Sequence, residues 1–93
     1  MKTLYLAPSF HRALKKLDEQ QREKIADAVI RFREFLQSGQ PRPGLGFKKL
    51  AEDVFEFRVD IHVRVVGIAE GNAYYLYAVG SHDDVRRFLR AHR

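Results

Sequence analysis

The hydrophobic period of the chain changes halfway along. Up to residue 36 the apolar positions recur at helical spacing, and from residue 54 they alternate or run together as in strands. Lys2 to Leu6 alternates polar and apolar residues and predicts a short strand. Pro8 and Ser9 then open a helix with Phe10, Leu14 and Leu17 on one face and His11, Arg12, Lys15 and Lys16 off it. Asp18 followed by Gln21 reads as a capping box and starts a second helix. In it Ile25, Val29, Phe32 and Leu36 hold i, i+4, i+7, i+11 spacing, flanked by Ala28 and Phe35. Asp27 and Arg31 are placed for an i, i+4 pair on its polar face. Gly39 stops the helix, and Gln40 to Gly46, with Pro41, Pro43, Gly44 and Gly46, is a loop. Almost no linker separates the helices, so they form a hairpin.

In the second half, Val54 to Val59 alternates strictly, with Phe55, Phe57 and Val59 facing one way and Glu56 and Arg58 the other. Asp60-Ile61-His62 is a turn, Val63 to Ala69 a strand, Glu70-Gly71-Asn72 a hairpin turn and Ala73 to Val79 another strand. Gly80 ends it. Ser81 and Asp84 form a second capping box, opening a last helix with Val85, Phe88 and Leu89 on one side. The order strand, helix, helix, strand, strand, strand, helix predicts an α+β fold. Its helical hairpin packs on one face of a mainly antiparallel four-stranded sheet, and the other face is open to solvent or a ligand. With one central residue in the 60–62 turn, Arg58 lies opposite Arg64 and Asp60 opposite His62. Glu56, Arg58, Asp60, His62 and Arg64 then share the open face, whereas a slip of one residue would separate the two arginines.

A length of 93 residues implies one domain, spanning 1–93, with one core. Seventeen Lys and Arg against twelve Asp and Glu give a net +5, which favours an anionic partner such as nucleic acid. Most of that excess lies in residues 1–47, with nine basic and five acidic side chains, while Arg86 to Arg93 holds four arginines and no acid. There is no Cys, which excludes a disulfide framework and Cys-based metal sites. The four His are scattered without ligand spacing, so neither metal nor cofactor is expected. No apolar run suits a signal peptide or a membrane span, which makes the expected location cytoplasmic. Gly-rich phosphate loops and nucleophile-elbow motifs are missing as well. The candidate chemistry is the arginine pair, since guanidinium forks grip phosphate oxygens bidentately. The competing reading is a solvated sheet face on which Glu56 and Asp60 pair with those arginines.

Several segments together resemble the RelE/ParE toxin superfamily of type II toxin–antitoxin systems. They are the first strand and helical hairpin, Gly44-Leu45-Gly46-Phe47-Lys48-Lys49-Leu50, Phe55-Glu56-Phe57-Arg58-Val59, Val63-Arg64-Val65-Val66, and Val79-Gly80-Ser81-His82-Asp83-Asp84-Val85-Arg86-Arg87-Phe88-Leu89. The likeness covers nearly the whole chain in order, and it is more specific for the superfamily than for a branch. It implies the RelE-like fold. For the RelE-like branch it implies a metal-independent endoribonuclease that cuts mRNA, commonly on the ribosome, by attack of the ribose 2′-OH to leave a 2′,3′-cyclic phosphate. It also implies a cognate antitoxin, whose acidic, partly disordered segment the basic hairpin would seat.

The family's basic position before the second strand falls on Lys49, with Lys48 beside it, and its strand arginine falls on Arg64. The position after the last strand falls on His82 and the C-terminal aromatic on Phe88. The resemblance thus implies His82 as general acid or base, Arg64 and Arg58 as stabilisers of the phosphorane-like transition state, Lys49 as added positive charge, and Phe88 as a base stacker. The chain departs from the family pattern at Phe88, which lacks the hydroxyl of a Tyr. Ala51 replaces a second basic residue, and Asp60 stands where some relatives carry Arg. Two alternatives stand beside the nuclease: a ParE-like toxin that inhibits gyrase by binding, and a non-catalytic module that binds nucleic acid or a partner.

Overall fold

The elements form in the expected order, with one short strand added. A computed structural model describes residues 1–40 and 42–92; Pro41 of the expected loop and Arg93 of the terminal arginine run lie outside them. The order is β1 (Thr3–Leu6), α1 (Pro8–Lys15), α2 (Glu19–Ser38), β2 (Lys48–Lys49), β3 (Val54–Arg58), β4 (Arg64–Glu70), β5 (Ala73–Gly80) and α3 (His82–His92). The sheet has five strands in the order β1-β5-β4-β3-β2, with only β1 and β5 parallel. The α+β class of the RelE-like fold is therefore correct, and the expected count of four strands is short by β2, whose two residues are too few to show a period.

The helix ends follow their local chemistry. Pro8 supplies a preset φ at the first turn of α1. At α2, Asp18 Oδ1 accepts from the Gln21 N–H at 2.8 Å and the Gln21 side chain accepts from the Asp18 N–H at 3.4 Å, completing the capping box. Gly39 adopts φ 73°, the left-handed turn that lets its N–H reach the Phe35 carbonyl at 2.8 Å and close the helix. The expected Asp27–Arg31 side-chain pair does not form; Arg31 Nε donates instead to the Asp27 carbonyl at 3.4 Å.

The helical hairpin packs on one sheet face. Phe10, Ile25, Ala28, Phe32 and Leu36 bury against Phe55, Phe57, Val65 and Leu76. Phe32 is fully buried, with ring centroids 4.5 Å from Phe57 and 5.3 Å from Phe55. The opposite face is not left wholly open, which corrects the expectation of a face free for solvent or a ligand. α3 lies on it, packing Val85, Phe88 and Leu89 against Val54, Val66 and Ala78. The cause is alternation: the parity that turns Glu56 and Arg58 outward also turns Val54 outward, and these valines need an apolar cover.

Between β4 and β5 the register shifts, with Val66 opposite Ala78 and Gly67 opposite Leu76. Tyr77 is the extra residue, and the bulge lets it join Ala78 on the α3 side while Leu76 faces the hairpin.

Phe32→Ala should lower the unfolding free energy by about 3–5 kcal/mol, because its cavity adjoins three other buried rings or side chains that cannot all collapse into it. Ile30→Ala, at a position 46% exposed and two residues away, should change it by less than about 0.5 kcal/mol. Urea titration checks both.

Candidate functional site

Strand register decides which basic side chains meet. Arg58 pairs with Arg64, and Arg64 with Gly80, so the arginines share the α3 face of the sheet and His82 follows two residues after their rung. Lys48 pairs with Glu56 and belongs to the same face. Lys49 pairs with Phe55 and faces the other way, towards a hollow lined by Glu52, Asp53 and Tyr74. The family-implied set of Lys49, Arg64 and His82 is therefore not assembled on one face. The basic residues that share a face are Lys48, Arg58 and Arg64, with His82 two residues beyond the rung of Arg64.

Within that set Arg64 is held from below. Glu56 is 8% exposed, and its Oε2 lies 3.2 Å from Arg64 Nε. The contact is an ion pair without hydrogen-bond geometry, so Arg64 Nε is a buried donor with no hydrogen-bond partner among the described residues. Burying a carboxylate this deeply is costly unless a cation sits against it, so Glu56 and Arg64 require one another. The competing reading of the sheet face is thus realised for this one arginine.

Arg58 is exposed and without an ion-pair partner among the described residues. Its backbone N–H donates to the Leu45 carbonyl at 2.7 Å, drawing the loop after α2 onto β3. Gly46, at φ 60°, makes room there: a Cβ on it would press on Arg58 Cβ and Nε at 3.3 Å. The Gly-Leu-Gly run is therefore a seat for the Arg58 side chain, with buried Leu45 as its anchor.

His82 is exposed on the first turn of α3. The capping box behind it is complete: Asp84 Oδ2 accepts from the Ser81 N–H at 2.8 Å and from the Ser81 hydroxyl at 2.9 Å, and the Asp84 N–H donates to Ser81 Oγ at 3.2 Å. The Ser81 N–H, the Ser81 hydroxyl and the Arg87 guanidinium hold the Asp84 carboxyl below its ordinary value. Asp60 is a turn group. Its carboxylate accepts from the N–H of His62 at 2.7 Å and of Val63 at 2.9 Å, which lowers its pKa. Phe88 is half-buried, its ring 6.1 Å from Tyr77 and 6.2 Å from His92.

Two features were missed in the sequence. One is the burial of the Glu56–Arg64 pair, which the competing reading had on a solvated face; its signal is a carboxylate flanked by phenylalanines in a strictly alternating strand. The other is a clasp at the far end of α3, where the His92 ring nitrogen meets Asp53 Oδ2 at 3.0 Å and lowers the Asp53 pKa. A cleft lined by Leu17, Lys24, Val59, Asp60 and Val79 opens on the hairpin side, away from Lys48, Arg58 and Arg64. Among the described residues, no group of three His, Cys, Asp or Glu side chains could hold a metal ion. No described helix is long and apolar enough to cross a membrane.

No protein-family model matches the chain, and no curated protein matches it in sequence. Solved structures do match its fold. A toxin from Helicobacter pylori superposes with TM-score 0.65 at 19% identity, over 90% of this chain and 98% of the other. The DinJ–YafQ complex from E. coli gives 0.62 at 12%, over 90% and 97%. The YoeB–YefM complex from Staphylococcus aureus gives 0.58 at 14%, over 88% and 98%. The chain thus shares the fold of these solved structures.

Glu56→Ala should cost about 3–5 kcal/mol by stranding the Arg64 charge, and adding Arg64→Leu should recover most of that loss. A urea double-mutant cycle measures the coupling.

The Asp84 carboxyl titrates below 3.8 in the folded chain. Its contribution is present above that value and fades as pH falls through the lower folded one. Asp84→Asn should therefore lower Tm at neutral pH, and the gap to the unmodified chain should close on acidification. Melting curves at descending pH check the sign.

Proposed function

We propose that this chain is the toxin of a type II toxin–antitoxin system and acts as a metal-independent endoribonuclease on mRNA at the ribosome. The observation that carries the reading is Arg64: a guanidinium pinned through Nε by the buried Glu56 carboxylate, beside Arg58 and the rung that leads to His82. A cation held in a fixed position suits a phosphate whose charge grows in the transition state.

In this reaction the ribose 2′-oxygen attacks the adjacent phosphorus and loses its proton. The P–O5′ bond breaks, and the leaving 5′-oxygen gains a proton. A 2′,3′-cyclic phosphate and a 5′-hydroxyl result, with no net change in redox state or water. Arg64 and Arg58 bind the non-bridging oxygens. His82, an exposed imidazole that can give or take a proton, moves a proton at the 2′- or 5′-oxygen. Lys48 adds charge from the neighbouring strand and takes the part first assigned to Lys49, which faces away. Phe88 supports α3 and offers at most a ring edge to a base. The protein partner is a cognate antitoxin, in keeping with two structural neighbours solved as complexes, DinJ–YafQ and YoeB–YefM. The expected place of action is the cytoplasm, where mRNA is translated.

An in vitro translation reaction with a labelled reporter mRNA tests the reading. The chain should cut the message into fragments ending in 2′,3′-cyclic phosphate. His82→Ala and Arg64→Ala should each slow cutting by about a hundredfold or more. Intact mRNA together with lost gyrase supercoiling would replace this reading with gyrase inhibition.

A further inference from the structure

On the α3 side of the sheet, away from the arginines, five aromatic rings form one row. Tyr5 of β1 stacks on Tyr75 of β5, with centroids 5.1 Å apart and planes at 18°. Tyr75 lies 6.3 Å from Tyr77, Tyr77 6.1 Å from Phe88, and Phe88 6.2 Å from His92 at an interplanar angle of 4°. The row runs from the sheet edge to α3. Its inner end is consumed in packing, since Phe88 belongs to the cluster under α3. Its outer end is free: Tyr5 is 47% exposed on an edge strand, and Tyr75 is its sole ring partner among the described residues.

Folding does not require an exposed, parallel-stacked tyrosine pair on an edge strand. Tyr5 and Tyr75 are rung partners, and a threonine or a charged residue at position 5 would guard the edge better. Ordinary alternation puts Tyr77 on the same side as Tyr75.

Cations border the row. The Ser9 hydroxyl donates to the Tyr77 backbone carbonyl at 2.7 Å, so the first turn of α1 meets the edge of β5 level with the row. Arg12 and Lys16 follow Ser9 at i+3 and i+7, on the same side of the helix, and both are exposed. Arg86 and Arg90 of α3 are exposed and have no ion-pair partner among the described residues. Of the strand acids on this side of the sheet, Glu56 is paired with Arg64 and Glu70 stands at the far end of β4. Stacking rings bordered by unpaired cations match the chemistry of unpaired nucleotides, whose bases offer π faces and whose backbone is anionic.

We propose that the Tyr5–Tyr75–Tyr77 row is a base-stacking platform for single-stranded RNA, separate from the Arg58–Arg64–His82 set. It rests on the reading of this chain as an RNA-acting protein and extends it: one or two unpaired bases continue the stack on the free face of Tyr5, while Arg12 and Lys16 meet their phosphates. The platform holds the strand without recognising its sequence.

Fluorescence anisotropy with a labelled 2′-O-methyl decanucleotide tests this on the whole chain, because a probe without 2′-OH groups cannot be cut. Tyr5→Leu, which keeps apolar cover and loses the ring, should weaken binding by about tenfold, the effect of losing one stacked base. Tyr5→Phe should bind like the unmodified chain. Arg12→Ala should flatten the slope of log K against log salt by about 0.7, which Tyr5→Leu should leave unchanged. Equal binding by Tyr5→Leu and the unmodified chain, with equal melting temperatures, would falsify the platform. So would loss of binding by Tyr5→Leu that follows a loss of melting temperature and is not seen in the thermally intact Tyr75→Leu. Cleavage is read separately on reporter mRNA. A chain that binds through Tyr5 but cuts nothing keeps the platform and sinks the nuclease; a chain that cuts with Tyr5 irrelevant to binding does the reverse.

Discussion

Packing of Phe32 against Phe57 and Phe55 is the contact on which the remaining geometry depends. It fixes which face of β3 belongs to the core. Once the two phenylalanines are committed inward, strand alternation commits Glu56 and Arg58 outward, and the β3–β4 register then brings Arg64 level with Arg58. A slip of β3 by one residue would turn Arg58 and Glu56 towards the hairpin, expose both phenylalanines and separate Arg58 from Arg64. The apolar cost of that slip is several large side chains at about 25 cal/mol per Å², so the chemistry on the far face is held in place by hydrophobic packing it never touches.

The outer face is itself divided. α3 covers its apolar residues and ends in the His92–Asp53 clasp, which leaves the arginine rung open beyond one end of the helix and the tyrosine row on the remaining surface. Ser81 and Asp84 fix where the helix starts, and so where His82 stands relative to Gly80 and its partner Arg64. A shift of one residue in that start would turn His82 by about 100° around the helix axis. The capping box is therefore part of the geometry that presents His82.

Most of the fold was legible because its signals are local. The spacing of Ile25, Val29, Phe32 and Leu36, the boxes at Asp18 and Ser81, and the alternation through Val54 to Arg58 each depend on a few neighbouring residues. The β3–β4 register was legible too, since a single consistent inner face allows only one pairing of Arg58. What escaped is non-local. β2 has no period of its own and exists because β3 offers it a partner. α3 crosses to the other face because Val54, Val66 and Ala78 converge there from three strands, and no window of one strand displays that patch. The Tyr5–Tyr75 stack joins residues seventy positions apart through a parallel rung, which alternation in β1 or β5 alone does not announce.

The two lysines show how far register controls chemistry. A family pattern read along the chain singles out Lys49, but in an antiparallel pair the face is decided by the partner, and Lys49 stands opposite Phe55 while Lys48 stands opposite Glu56. A basic residue displaced by one position in sequence has thus changed sides of the sheet. Lys48 joins Arg58 in a field already containing one buried carboxylate, where its charge also offsets Glu56; Lys49 looks into a hollow bordered by Glu52 and Asp53. Sequence likeness can transfer the presence of a cation to this chain. Only the rung it occupies says which charges it joins, and on that criterion Lys48 belongs with Arg64.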